Sequence, residues 1–223
     1  MNEIAQHIAT IRQELPSGTR LVAVSKFHPA EALMEAYESG QRIFGESRVQ
    51  ELMTKYEALP KDIEWHFIGH LQTNKVKYIV PFIALIHSVD SEKLLAVIDS
   101  EAAKCGRVVD CLLEIHVASE ESKYGLTPDS CREWLSGNPL DRYPHVRVCG
   151  LMGMASLTDD ESCIDREFGE LKSLFDELKA SGHVDARAFV ELSMGMSHDY
   201  RLALRHGTTL VRIGTSIFGE RNY

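Results

Sequence analysis

The sequence predicts a single α/β domain over residues 1–223, a (β/α)8 TIM-type barrel with one extra helix at its N-terminus. Short β-rich runs recur along the chain. Each is followed by a longer segment whose apolar residues fall three and four apart, the pattern of parallel βα units rather than hairpins. A chain of 223 residues with 44% hydrophobic content buries one substantial core, just under the usual size of such a barrel.

The N-terminal helix, beginning near Ile4, precedes the first strand and is expected outside the eightfold alternation, across the barrel bottom. The eight strands are then read at Leu21–Ser25, Arg42–Gly45, Trp65–Gly69, Leu85–Val89, Val108–Val117, Val146–Gly153, Ala188–Leu192 and Leu210–Gly214. Helical spacing fills Pro29–Ser39, Glu46–Ala58, Ser91–Lys104, Asp160–Ala180 and His198–Arg205. Gly137–Pro144 reads as an ordinary loop. A doubly wound open sheet is the alternative, since strand count does not by itself show closure.

The net charge of −9 argues against nucleic acid and anionic membrane as partners, because a uniformly acidic surface repels both. Any bound anion needs a local site. The five cysteines show neither C-x-x-C pairs nor zinc-finger spacing, so reduced thiols in a cytoplasmic protein are expected, with no metal. No signal peptide or membrane span is read, and no extended apolar surface segment stands out, so a monomer is expected.

In a barrel the working residues sit at the C-terminal ends of strands. The first run ends Val-Ser-Lys, which places Lys26 there. Desolvation of an amine lowers its pKa and suits it to attack an aldehyde, although a lone lysine is more often a surface group. Two Ser/Gly-rich turns follow the last two strands: Ser193-Met194-Gly195-Met196-Ser197 and Gly214-Thr215-Ser216. Turns after strands 7 and 8 are the usual phosphate site of this architecture, because glycines let backbone amides approach an anion. A lysine for an aldehyde and a cradle for a phosphate describe pyridoxal 5'-phosphate (PLP). They equally describe a Schiff-base aldolase acting on a sugar phosphate. Arg212 bears on the choice if it faces inward, because a guanidinium beside a pyridine nitrogen opposes its protonation. Strand alternation permits an outward, carboxylate-paired Arg212 about as readily.

Six segments resemble one family over nearly the whole chain: AVSKFHP around Lys26, FGESRVQE at 44–51, WHFIGHLQTNK at 65–75, GLMGMA at 150–155, LSMGMSHDY at 192–200 and VRIGTSIFG at 211–219. They resemble the PLP homeostasis proteins, which are similar to the N-terminal barrel of alanine racemases. The resemblance implies a cytoplasmic PLP-binding protein that keeps vitamin B6 pools balanced without established turnover, and it leaves delivery to apo PLP-dependent enzymes open. By the same resemblance Lys26 forms the aldimine, Ser197, Gly214 and Thr215 bind phosphate, and Arg212 faces the ring nitrogen. Asn74, Met196 and Glu46 are expected to line the pocket, and Lys123 to be a secondary PLP contact or a solvated lysine. The chain departs from the commoner family pattern at Ser47, His28 and His70.

The alternative within the same resemblance is an amino-acid racemase. Racemases of this type normally add a β domain, and the absence of one after the eighth strand suggests an open pocket suited to loading and release. The histidines His66, His70, His87 and His116 are dispersed, and hydrogen-bonded positions in or near the core are expected for them rather than metal ligation.

Overall fold

A computed structural model describes residues 3–119 and 124–220. Its eight strands are β1 (Arg20–Val24), β2 (Ile43–Glu46), β3 (Glu64–Phe67), β4 (Leu85–Val89), β5 (Val109–His116), β6 (Val146–Met154), β7 (Glu191–Ser193) and β8 (Leu210–Ile213). They close in sequence order, every pair parallel, with β8 returning to β1 through Arg20↔Leu210 and Val22↔Arg212. The open sheet is therefore excluded.

Alternation along the strands divides the side chains into two cores. Leu21, Ala23, Phe44, Trp65, Phe67, Ile86, Leu113, Leu151, Val211 and Ile213 belong to the large cluster shared with the helices. Val22, Leu85, Leu112, Cys149, Met152 and Leu210 form a separate apolar plug inside the barrel.

The helices that cover the outer cluster are α1 (Glu3–Glu14), α2 (Ala30–Glu38), α3 (Val49–Ala58), α4 (Val76–Ile79), α5 (Glu92–Lys104), α6 (Pro128–Ser136), α7 (Glu161–Ser181), α8 (Tyr200–Arg205) and α9 (Thr215–Phe218). Side chains define several starts: Ser91, Thr127 and Asp160 accept from first-turn amides of α5, α6 and α7. Gly137–Pro144 contains a 3-10 turn over Pro139–Arg142.

The placement of α1 corrects the expectation from sequence. It does not cross the barrel bottom but stands in the outer ring between α8 and α2. His7 Nδ1 lies 3.0 Å from the Ile217 carbonyl oxygen in α9, Arg12 donates to Gly40 O and Gln41 Oε1 after α2, and Glu14 accepts from Tyr200 and Arg201 of α8. The helix after β8 has only four residues, so α1 buries Ala5, Ile8 and Ile11 where an eighth helix would stand.

Two boundaries also move. The run expected as a strand over Ala188–Leu192 begins as a turn, since the amides of Ala188 and Phe189 bond back to Asp185 O, and only Glu191–Ser193 is ladder. The helix expected from Glu46 starts at Val49, because Glu46 is the last residue of β2 and pairs with Phe67.

Candidate functional site

Lys26 follows β1 after one residue, Ser25, and is half-buried. The backbone on either side of it is fastened from outside the barrel. Lys55 Nζ, on α3, donates to Ser25 O at 2.8 Å and to Glu46 Oε1 and Glu51 Oε1 at 2.7 Å each. Ser25 Oγ also donates to Glu46 Oε1, and the Phe27 amide donates to Glu51 Oε1 at 2.6 Å. Phe27 is held at φ 69°, the left-handed region that costs a non-glycine residue about 1–2 kcal/mol. Such strain persists only where neighbours over-determine it. Here the Glu51 carboxylate and the Arg48 guanidinium, 4.6 Å above the Phe27 ring, supply that constraint.

Glu46 therefore does not line the lumen as expected. It is fully buried between β2 and α3, where burial pushes its carboxyl up and Lys55 pulls it back. Its role is to hold the segment that presents Lys26.

The two turns after β7 and β8 come together beside that segment. Gly195 has φ +94°, and a Cβ there would stand 2.8 Å from Ala203 Cβ and 2.9 Å from Tyr200 Cα, so the loop folds back tightly onto α8. The amides of Asp199 and Tyr200 donate to Met196 O, and the Met196 amide donates to Asp199 Oδ1. Ser197 is half-buried, and its Oγ accepts from the Ser216 amide at 3.4 Å, which links the two turns. Gly214 lies against β1: an added Cβ would be 3.0 Å from Val24 O. Lys26, Ser197, Gly214 and exposed Thr215 thus share the C-terminal rim of three adjacent strands, β1, β8 and β7.

Arg212 faces inward. It is 4% exposed, its Nη1 donates to Ser193 Oγ at 2.6 Å and its Nη2 to Gly153 O at 2.9 Å. The second bond reaches past β7 to β6, so the guanidinium lies in the lumen. Burial pushes Arg212 down to about 10, while Asp199 and Glu114 pull it up, so it stays cationic at neutral pH.

Sequence reasoning expected His66 and His87 in hydrogen-bonded positions in or near the core, where they stand, but did not join them with Ser193 and Glu114 in this interior. His87 Nδ1 lies 2.9 Å from Ser193 Oγ, and His87 Nε2 lies 2.9 Å from His66 Nδ1. Burial brings His66 down to about 3 and His87 well below 6.5, so both rings are neutral. Glu114, on β5, is driven up to about 7 by burial and by Asp90, against the pull of Arg212. The signal was present as period-2 alternation: His66, His87, Ser193 and Arg212 stand two residues from the inward positions Glu64, Leu85, Glu191 and Leu210.

The remaining expectations separate. Met196 is half-buried in the turn that carries Ser197, whereas Asn74 is exposed on the 3-10 turn Thr73–Lys75 after β3. Lys123 lies outside the described residues. His28 stacks on Phe218 of α9 at 5.0 Å and so joins the loop of Lys26 to the turn of Thr215. His70 pairs with Asp90 at 3.2 Å and stacks on Tyr124 at 4.0 Å. Ser47 packs against Gly69, whose Cβ would stand 2.6 Å from Ser47 O. His116, at the end of β5, is half-buried. Among the described residues no group of three or more His, Cys, Asp or Glu is placed to hold a metal ion.

The family model of the alanine racemase N-terminal domain matches residues 1–222. A pyridoxal phosphate homeostasis protein of Aquifex aeolicus is 44% identical over 205 residues, 92% of this chain and 88% of that protein. The chain belongs to the pyridoxal phosphate homeostasis family. PipY of Synechococcus elongatus, solved with PLP bound, matches this member of the family with a TM-score of 0.86 at 38% identity, over 97% of this chain and all of that one. The alanine racemase of Bartonella henselae, with covalently bound pyridoxal phosphate, shares the fold: TM-score 0.75, 15% identity, 98% of this chain and 59% of that one. Among the described residues of this family member, no helix is long and apolar enough to cross a membrane.

Proposed function

We propose that this chain holds PLP as a Schiff base on Lys26 and serves intracellular vitamin B6 homeostasis by loading and releasing the cofactor, without turning over a substrate. The supporting observation is the convergence of Lys26, the paired turns at Ser197 and Gly214-Thr215, and inward-facing Arg212 on three adjacent strands. Lys26 Nζ condenses with the aldehyde carbon and releases one water, and return of that water frees the cofactor. Ser197, Gly214 and Thr215 take the phosphate through hydroxyl and amide donors. Met196 packs beside the ring, and Asn74 lies at the rim as a weaker contact.

Arg212 separates holding a cofactor from catalysing with it. A cationic guanidinium at the ring nitrogen keeps that nitrogen unprotonated and makes the ring a weak electron sink. The group that Lys26 binds is therefore held rather than activated. On this reading the protein is a cytoplasmic monomer whose recipients are apo PLP-dependent enzymes. The sugar-phosphate aldolase reading has no comparable support, since the relatives are named for pyridoxal phosphate.

Titration of the purified protein with PLP and with pyridoxal, followed by visible absorbance, tests the assignment. PLP is expected to bind at least about tenfold more tightly, the worth of one or two charge-assisted hydrogen bonds to phosphate. Equal affinity for the two ligands would remove the phosphate role of the cradle.

A further inference from the structure

Strands β4 and β7 are not neighbours, yet His87 and Ser193 lie 2.9 Å apart across the lumen. The same contact continues in both directions. Arg212 Nη1 is 2.6 Å from Ser193 Oγ, and His87 Nε2 is 2.9 Å from His66 Nδ1. Four buried side chains on four strands form one unbroken line, from the residue that faces the cofactor ring to His66. His66 lines a cavity of about 430 Å³ at the N-terminal ends of the strands, among Arg20, Glu64, Asp110 and Glu191.

The directions along this line are assigned from its first member and from the need of the Ser193 hydroxyl proton for an acceptor. A guanidinium has donors and no acceptor, so Ser193 Oγ accepts from Arg212. Nδ1 of His87 is the acceptor within reach of the hydroxyl proton, which is therefore assigned to it. His87 consequently carries its proton on Nε2 and donates to Nδ1 of His66, which leaves the His66 proton on Nε2, the atom left over for the cavity side. No member is left unsatisfied within the line; reversing one ring alone would place two donors or two acceptors face to face, and reversing both would leave the Ser193 hydroxyl proton without an acceptor in the line.

We propose that Ser193, His87 and His66 are positioning residues for Arg212, a one-way hydrogen-bond line that fixes the guanidinium so that a donor meets the ring nitrogen of PLP. The inference rests on the reading of PLP at Lys26 and adds what holds Arg212 there. Gly153 O, on β6, takes Nη2, so the guanidinium is held at two points and Ser193 is the side-chain one. Burial keeps both histidines neutral, and Arg212 is the only cation in the line. A mobile guanidinium would oppose protonation of the ring nitrogen less well and would leave the cofactor less well anchored.

The test uses the full chain loaded with PLP that carries 15N in the ring, read by the ring-nitrogen resonance and by the rate of PLP release into excess apo-acceptor. Ser193→Ala is expected to move the resonance toward the protonated pyridine position and to speed release about tenfold. Ser193→Thr, which keeps a hydroxyl, is expected to restore both. His87→Phe cuts the next link while filling its volume, and is expected to move the resonance in the same direction by a smaller amount; it gives an independent reading should Ser193→Ala fold poorly. A loaded Ser193→Ala protein with the wild-type resonance and release rate overturns the inference, as does a loss that Thr does not rescue. Wild-type protein that takes up no PLP overturns this inference together with the reading it rests on.

Discussion

Lys55 Nζ donates to the carbonyl oxygen of Ser25 at 2.8 Å, one residue ahead of Lys26. A buried ammonium on α3 therefore sets the exit angle of β1, and the Glu46 and Glu51 carboxylates share the same nitrogen.

Replacing Lys55 with Met leaves Glu46 fully buried without its cation. The expected loss is about 3–5 kcal/mol of unfolding free energy, the usual result of breaking a buried pair from one side. The double variant Lys55→Met/Glu46→Gln is expected to recover most of that loss. Urea midpoints at pH 7.5 check both, and a single variant within about 1 kcal/mol of wild type would show that the clamp contributes little.

Acid should weaken the fold through His66 and His87. Both have folded pKa values below the unfolded value near 6.5, His66 down to about 3. The unfolded chain then binds protons that the folded one excludes as pH falls below about 6.5, so stability is full above that pH and declines beneath it. Each ring contributes a slope approaching about 1.4 kcal/mol per pH unit between pH 6 and 4. Comparing wild type with His66→Asn at pH 7.5 and pH 5 isolates the effect. Wild type should lose more of its own neutral-pH stability, and equal losses would contradict the account.

Glu114 acts with the opposite sign. Its folded value is raised to about 7 from 4.5, so the folded state holds a proton that the unfolded state has released, and stability falls as pH rises through 7. Glu114→Gln should therefore stabilise at pH 8 by up to about 3 kcal/mol, with the gain gone below about pH 4.5. Thermal unfolding across that range reads it; a destabilised variant at pH 8 would point to an ionic role for Glu114 in the lumen.

Gly195→Ala tests the cradle. A Cβ at φ +94° and 2.8 Å from Ala203 must shift the turn. PLP affinity is expected to fall by about tenfold or more, with about 1–3 kcal/mol of stability lost to strain. Unchanged PLP affinity would separate this turn from the phosphate.

The barrel was legible because each strand is a short β-rich run and each following helix has its own apolar spacing, both local properties. The rim was legible for a related reason: Lys26, Ser197 and Gly214-Thr215 stand at the ends of recognisable strands. What was hidden depends on pairs distant in sequence. Glu46 looked like a pocket residue until Ser25 and Lys55 were seen to hold it behind the wall. The ring position of α1 follows from the shortness of α9, and its partners lie as far away as Ile217. Arg212 was equally acceptable facing outward, and only its bonds to Gly153 and Ser193 inside the lumen decide its direction.

The central claim is a covalent bond between PLP and one lysine. Its most direct test is borohydride reduction of the PLP-loaded protein, followed by mass mapping of the peptides, with Lys26→Ala alongside. Loss of the visible band on reduction, a pyridoxyl mass on the peptide containing Lys26, and no fixed cofactor in the variant are expected. A pyridoxyl mass on another lysine, or the same amount of fixed cofactor in Lys26→Ala, would contradict the claim.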